Sequence, residues 1–233
     1  VEAENAEADE MPMWQAFKQF VLRNPWIWIL CIANVFVYIV RIGIDNWAPL
    51  YVTEALGFDK LDAVNTIFYF EVGAILASMS WGYISDKLNG RRAAVAVACM
   101  VAIIFVVMLY RNATSVMMVN ISLFLLGALI FGPQLLIGIS LVGFVPKKGI
   151  SVANGMTGTF GYLFGDSVAK VGLAAIADPE RNGLTVFGHT LHGWSDVFIV
   201  FYVALFIGIA LLTLVAFGEE RRIRQVSKQL SQS

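Results

Sequence analysis

Arg41 is a cation inside an apolar run, Pro25–Val52, in the stretch Asn34-Val-Phe-Val-Tyr38-Ile-Val-Arg41-Ile-Gly-Ile-Asp45-Asn-Trp47. A charge at membrane depth costs about 2.5–3.5 kcal/mol on insertion scales, so it faces a bundle interior or an aqueous cavity and marks a site for an anion. Two other readings of the position stay open: a guanidinium that snorkels to the interface, and a helix-internal pair with Asp45 one turn on. Further polar groups sit at similar depth. Glu71 lies mid-span in Phe68-Tyr-Phe-Glu71-Val-Gly-Ala74, and Gln134 follows Phe131-Gly-Pro133. Asp166 and Lys170 are spaced i,i+4, so both side chains share one helix face and neutralise each other. That pair either lines the cavity and tunes which anions pass, or packs helices without touching substrate. The first reading is favoured, because apolar residues would fill a packing role at lower cost.

Other chemistries find no support. His189 and His192 flank a Gly-rich loop without ligand spacing to Cys31 or Cys99, so they read as solvated loop residues and the cysteines as buried thiols. No nucleophile–base pair, nucleotide-binding glycine loop or metal set is present, so neither enzyme activity nor a cofactor is expected. A net charge of −1 gives no footprint for nucleic acid.

The elements that position these groups are membrane helices. Of 233 residues, 58% are hydrophobic and 14% charged, with a mean hydropathy of +0.73. Soluble domains carry about 25% charged residues. Six segments are long and apolar enough to cross a core of about 30 Å: 25–52, 61–84, 93–110, 116–144, 150–177 and 194–217. The fold expected is therefore all-α, with a six-helix transmembrane unit over 25–218. Residues 14–24 space aromatic and apolar side chains as an amphipathic interfacial helix would, before Pro25 opens the first span. The acidic stretch 1–13 lacks a starting Met and reads as a disordered linker that follows another segment. Residues 219–233 read as a basic tail.

Basic residues set the topology. Lys18, Arg23, Lys87, Arg91, Arg92, Lys147, Lys148, Arg221, Arg222, Arg224 and Lys228 fall on one side, against Lys60, Arg111 and Arg181 on the other. The first side is cytoplasmic, which puts both termini inside. Six spans with both ends inside and a polar leader make half of a twelve-span transporter. The loop Gly82-Tyr-Ile-Ser-Asp86-Lys87-Leu-Asn-Gly90-Arg91-Arg92 supports that. It resembles the signature found between the second and third helices of each half in the major facilitator superfamily. Its physical logic is a carboxylate at a helix end that holds basic residues and a neighbouring helix N-terminus, latching one conformation.

Four longer segments narrow the likeness: 33–47, Phe131-Gly-Pro-Gln134-Leu-Leu-Ile-Gly138, Gly143-Phe-Val-Pro-Lys-Lys148 and Gly161-Tyr162-Leu-Phe-Gly-Asp166-Ser-Val-Ala-Lys170. With Glu219-Glu-Arg-Arg-Ile-Arg224, they resemble the hexose-phosphate branch of the bacterial organophosphate:phosphate antiporters over its C-terminal half. The resemblance implies that Arg41 clamps a substrate phosphate together with a first-helix arginine supplied by an N-terminal half. It also implies that Tyr38 and Tyr162 lie near the site and that Asp166 and Lys170 are the eleventh-helix ion pair of the hexose-phosphate members. At Phe131 the glycerol-phosphate relatives have tyrosine, so a hydroxyl is lost there. Asp45, Gln134 and Glu71 join these as candidate cavity residues.

The function implied is uptake of hexose 6-phosphate in exchange for inorganic phosphate by alternating access across a bacterial inner membrane. The partners are those two anions, the N-terminal half and the bilayer. Alternatives are another organophosphate cargo (glycerol phosphate or phosphoglycerate), a non-transporting sugar-phosphate sensor, and a fragment with no transport of its own.

Overall fold

Asn24 and Pro25 start the first membrane helix. The Asn24 side chain accepts from the Trp26 N–H at 3.0 Å, and Pro25 occupies a first-turn position whose N–H would have no helical partner. Asn24 also donates Nδ2 to the Phe144 carbonyl at 2.7 Å, tying this helix start to the far end of the fourth span. The computed structural model describes residues 8, 11–88, 90–178, 183–186 and 188–230.

The elements are α1 (Met13–Ala16), followed by a π-helical turn Phe17–Leu22, then α2 (Pro25–Glu54), α3 (Lys60–Lys87), α4 (Arg92–Arg111) and α5 (Val116–Ser140). After a 3₁₀ turn, Leu141–Gly143, come α6 (Lys147–Phe160), two π-helical stretches (Gly161–Asp166 and Val168–Gly172) and α7 (Leu173–Ala177). A hairpin of β1 (Leu184–Val186) and β2 (His189–Leu191) leads into α8 (Trp194–Leu230). Among the described residues, six helical stretches are long and apolar enough to cross a membrane, the fifth being α6 through α7. The six expected spans are therefore present.

α2 is the central helix. Two thirds (67%) of its most apolar window is buried inside the bundle, against 22% for α3, which lies at the edge. Small residues set the spacing of the others. A Cβ at Gly73 of α3 would fall on the Phe124 carbonyl of α5, and one at Gly127 of α5 would fall on the Phe70 carbonyl of α3. These reciprocal glycines let the two backbones meet directly. Around them Met100, Ile103, Leu123, Leu126, Ile130 and Leu136 are fully buried.

Four features depart from the sequence expectation. The fourth span ends at Ser140 rather than 144 and tightens into the 3₁₀ turn that approaches Pro146. The fifth span is π-helical through its middle, where Gly161 and Gly165 press against α2. The Gly-rich loop holding His189 is a hairpin, closed by Thr185–Thr190 pairing and Gly188 at φ +83°. α8 is helical through Leu230, so most of the tail read as 219–233 continues the last helix. Its exposed i,i+4 bond from Arg224 to Glu220 (3.1 Å) favours that extension. Arg181 and most of the acidic 1–13 stretch lie outside the described residues.

Candidate functional site

Arg41 sits near the middle of α2, on the side facing α5. Its guanidinium carbon is 4.5 Å from the Phe131 ring centroid and 5.7 Å from that of Tyr38. The residue is half-buried, and its Nε is buried without a hydrogen-bond partner among the described residues. Asp45 lies one turn on and is also half-buried, but no ion pair joins the two among the described residues. The helix-internal pair left open by the sequence does not form. Aromatic faces hold the cation instead, through the ring quadrupole, and leave part of its donor fork uncommitted.

Tyr38 is fixed from three sides. Its hydroxyl accepts from Gln134 Nε2 at 3.3 Å, and its ring meets Tyr162 edge-on with centroids 5.0 Å apart. Behind it, a Cβ at Gly165 would come within 2.6 Å of Tyr38 Cβ and 2.7 Å of the Val35 carbonyl. A Cβ at Gly161 would meet Asn34 Nδ2 at 2.8 Å. Glycines four apart thus present a flat face on which α2 rests, and they place Tyr162 beside Tyr38. Two other bonds clamp the same contact: Asn34 Nδ2 donates to the Thr157 carbonyl at 2.8 Å, and the Trp47 indole N–H to the Ala169 carbonyl at 2.8 Å. The second anchors a stretch whose π-helical turns displace the usual backbone pairing.

Within that stretch Lys170 Nζ lies 3.0 Å from Asp166 Oδ1, so the pair forms as the spacing predicts. The Asp166 side chain is 22% exposed and that of Lys170 53%, which leaves the ammonium open to a further partner. Glu71 on α3 is exposed and makes no hydrogen bond or ion pair among the described residues. It stands seven residues, two turns, from Ser78 on the same helix face. Ser78 lines a cavity of about 490 Å³ with Phe131, Gln134, Gly138 and Asn154. A neighbouring cavity of about 220 Å³ is bounded by Asn34, Tyr38, Gln134, Asn154 and Thr157. Arg41, Tyr38, Phe131, Gln134 and Tyr162 are therefore brought together. Asp166 and Lys170 lie along the same helix beyond Tyr162, while Asp45 stands one turn further along α2.

The loop between α3 and α4 works differently from the sequence expectation. Gly90, at φ +72°, turns the chain and donates its N–H to the Ser85 carbonyl at 3.1 Å. Asp86, however, is exposed, and among the described residues nothing bonds to its carboxylate. A Cβ at Gly82 would meet nothing. The carboxylates that hold the basic residues come from the extended α8. Glu220 accepts from Arg91 at 2.9 and 3.3 Å, and the buried Glu219 accepts from the Ala93 N–H at 2.9 Å, at the N-terminus of α4. Arg92 donates instead to the Ile139 carbonyl at 3.2 Å. An acid on a helix N-terminus is present, but it is Glu219 rather than Asp86, with Glu220 on Arg91 beside it, because α8 runs long enough to reach the loop.

Sequence reasoning did not single out Asn34, Asn154, Trp47 or the roles of Glu219 and Glu220. Asn34 and Asn154 left a signal, as amides inside apolar runs. Trp47 left none, since its partner is a carbonyl 122 residues away.

The sequence matches the family model of the Major Facilitator Superfamily over residues 2–168. It is 47% identical over 227 residues to the hexose-6-phosphate:phosphate antiporter of Salmonella typhimurium, covering 97% of this chain and 48% of that protein. The antiporter of the same description from Escherichia coli K12 is 46% identical with the same coverage. The glycerol-3-phosphate transporter of Bacillus subtilis is 35% identical over 199 residues, 84% of this chain and 42% of that one. The chain spans about half the length of the curated relatives it matches. With six helices long and apolar enough to cross a membrane and this match over most of its length, the chain is a multi-pass membrane protein that belongs to the major facilitator superfamily.

Proposed function

We propose that this chain is the C-terminal half of an antiporter that exchanges hexose 6-phosphate for inorganic phosphate. The observation that carries the reading is the Arg41 guanidinium, half-buried at mid-span, with Nε unpartnered and no carboxylate on it among the described residues. A planar fork offers two parallel donors to phosphate oxygens, and a second arginine from the N-terminal half would complete the neutralisation of a dianion. No bond is made or broken: the phosphate binds between two halves that rock to expose it to either side. Tyr38 and Phe131 aim the fork, and Tyr162 and Lys170 face the remainder of the ligand, with Asp166 setting the position of Lys170. Asp45, Gln134 and Glu71 supply polar lining. The excess of basic residues near the α1, α3–α4, α5–α6 and α8 ends, eleven in all, supports a cytoplasmic side for those ends. The buried Glu219 contact ties α8 to the start of α4 on that side while the halves move.

The test is Arg41→Lys in liposomes loaded with phosphate and carrying this chain with its N-terminal half. The charge stays and the fork goes, so one charge-assisted bond is lost, worth about 1.5–3 kcal/mol. Exchange falls about 10- to 100-fold, with normal membrane insertion. Wild-type exchange by that variant rules out the clamp.

A further inference from the structure

Gln134 has an amide with one end in use. Nε2 reaches the Tyr38 hydroxyl at 3.3 Å, while Oε1 is buried and has no partner among the described residues. Turning the amide over swaps its ends but still leaves one unpaired. Buried polar atoms are otherwise almost always bonded, so an orphan beside a cavity points to a ligand or an ordered water. Gln134 also lies where both cavities meet, since they share Gln134, Gly138 and Asn154. Asn154 brings a second amide from α6, whose Oδ1 would lie 3.1 Å from a Cβ at Gly138. The glycine keeps that space open.

Position along α5 relates this pocket to the cation. Phe131 touches Arg41, Gln134 follows one turn later and Gly138 two turns later, about 5–10 Å along the axis. That is the reach of a sugar ring attached to a phosphate. We infer that Gln134 and Asn154 form a hydroxyl-reading subsite, which binds the ring of a sugar phosphate whose phosphate rests on Arg41. The inference rests on the antiporter reading above and adds the part of the cavity that selects the sugar. Neutral amides suit the task, because each offers a donor and an acceptor to adjacent hydroxyls without adding charge beside the guanidinium. Inorganic phosphate on Arg41 is too short to reach them.

The experiment uses the complete transporter that carries this chain, in phosphate-loaded liposomes. Half-inhibitory concentrations against labelled phosphate exchange are measured for glucose 6-phosphate and for its 2-, 3- and 4-deoxy analogues. In the wild type at least one analogue binds about 3- to 10-fold more weakly than the parent, the value of one neutral hydrogen bond. In Gln134→Leu or Asn154→Ala that difference shrinks towards one, and selectivity for glucose 6-phosphate over phosphate drops by a similar factor. A deoxy difference that persists in both variants, or is absent from the wild type, overturns the subsite and leaves the antiporter reading intact. An ordered water at Gln134 gives that result. Absence of any sugar-phosphate inhibition in the wild type overturns the antiporter reading and the subsite with it.

Discussion

Glu219 and Glu220 are adjacent, of one type and on one helix, yet removing them should have very different consequences. Glu219 is buried, and its Oε2 accepts from the Ala93 N–H at 2.9 Å, where α4 begins. A charged acceptor on a backbone donor contributes about 1.5–3 kcal/mol, and a carboxylate at a helix N-terminus adds about 0.3–1 kcal/mol. Glu219→Ala also leaves that N–H buried without a partner. The total loss is about 2–4 kcal/mol, which for a chain of this size lowers the unfolding temperature by about 5–15 °C at roughly 2–4 °C per kcal/mol. Glu220 instead sits in water between Arg91 and Arg224, side chains 48% and 74% exposed. Exposed pairs of this kind are screened and contribute little. Glu220→Ala should therefore leave the unfolding temperature within experimental error. Glu219→Gln should fall between, since the amide oxygen keeps the bond and loses the charge. The assay is thermal unfolding in detergent, followed by a dye for newly exposed thiols, because Cys31 and Cys99 are both buried and free. Equal shifts for Glu219→Ala and Glu220→Ala would refute the argument from burial, and so would a Glu219→Ala protein that melts with the wild type.

Two other outcomes follow from the site and the charge pattern. Replacing Lys170 with Leu removes one partner of a half-exposed i,i+4 pair, so the bundle should keep its stability while hexose 6-phosphate exchange falls several-fold relative to phosphate exchange. Unchanged kinetics and selectivity would make the Asp166–Lys170 pair a packing device. For orientation, a cysteine at position 60 should react with an impermeant maleimide in intact cells, and one at position 147 only after permeabilisation. The reverse pattern would invert the proposed topology.

Much of this molecule is written in local sequence. Six apolar runs of membrane-crossing length dictate six helices, because no water in a bilayer core can satisfy an open backbone. A lone arginine in one of them stands out as a costly residue for the same reason, which is what singles it out as the proposed anion site, and an i,i+4 acid–base pair predicts its own contact, which forms at 3.0 Å. What surrounds Arg41 is another matter. Phe131 and Gln134 come from a helix some ninety residues away, and no spacing rule says that an aromatic face rather than Asp45 will hold the guanidinium. The same holds for the α3–α4 loop. Its signature predicts an acid on a helix N-terminus, but whether Asp86 or Glu219 serves depends on how far α8 extends and where it packs. Asn154, Gly138 and the orphan Gln134 oxygen become one pocket only when α5 and α6 both pack on α2, whose Asn34 and Tyr38 complete the lining. Chain-local forces decide which segments are helical and which residues are costly in lipid; close packing between helices, set by glycines such as Gly161 and Gly165 against Tyr38, decides which of those residues meet.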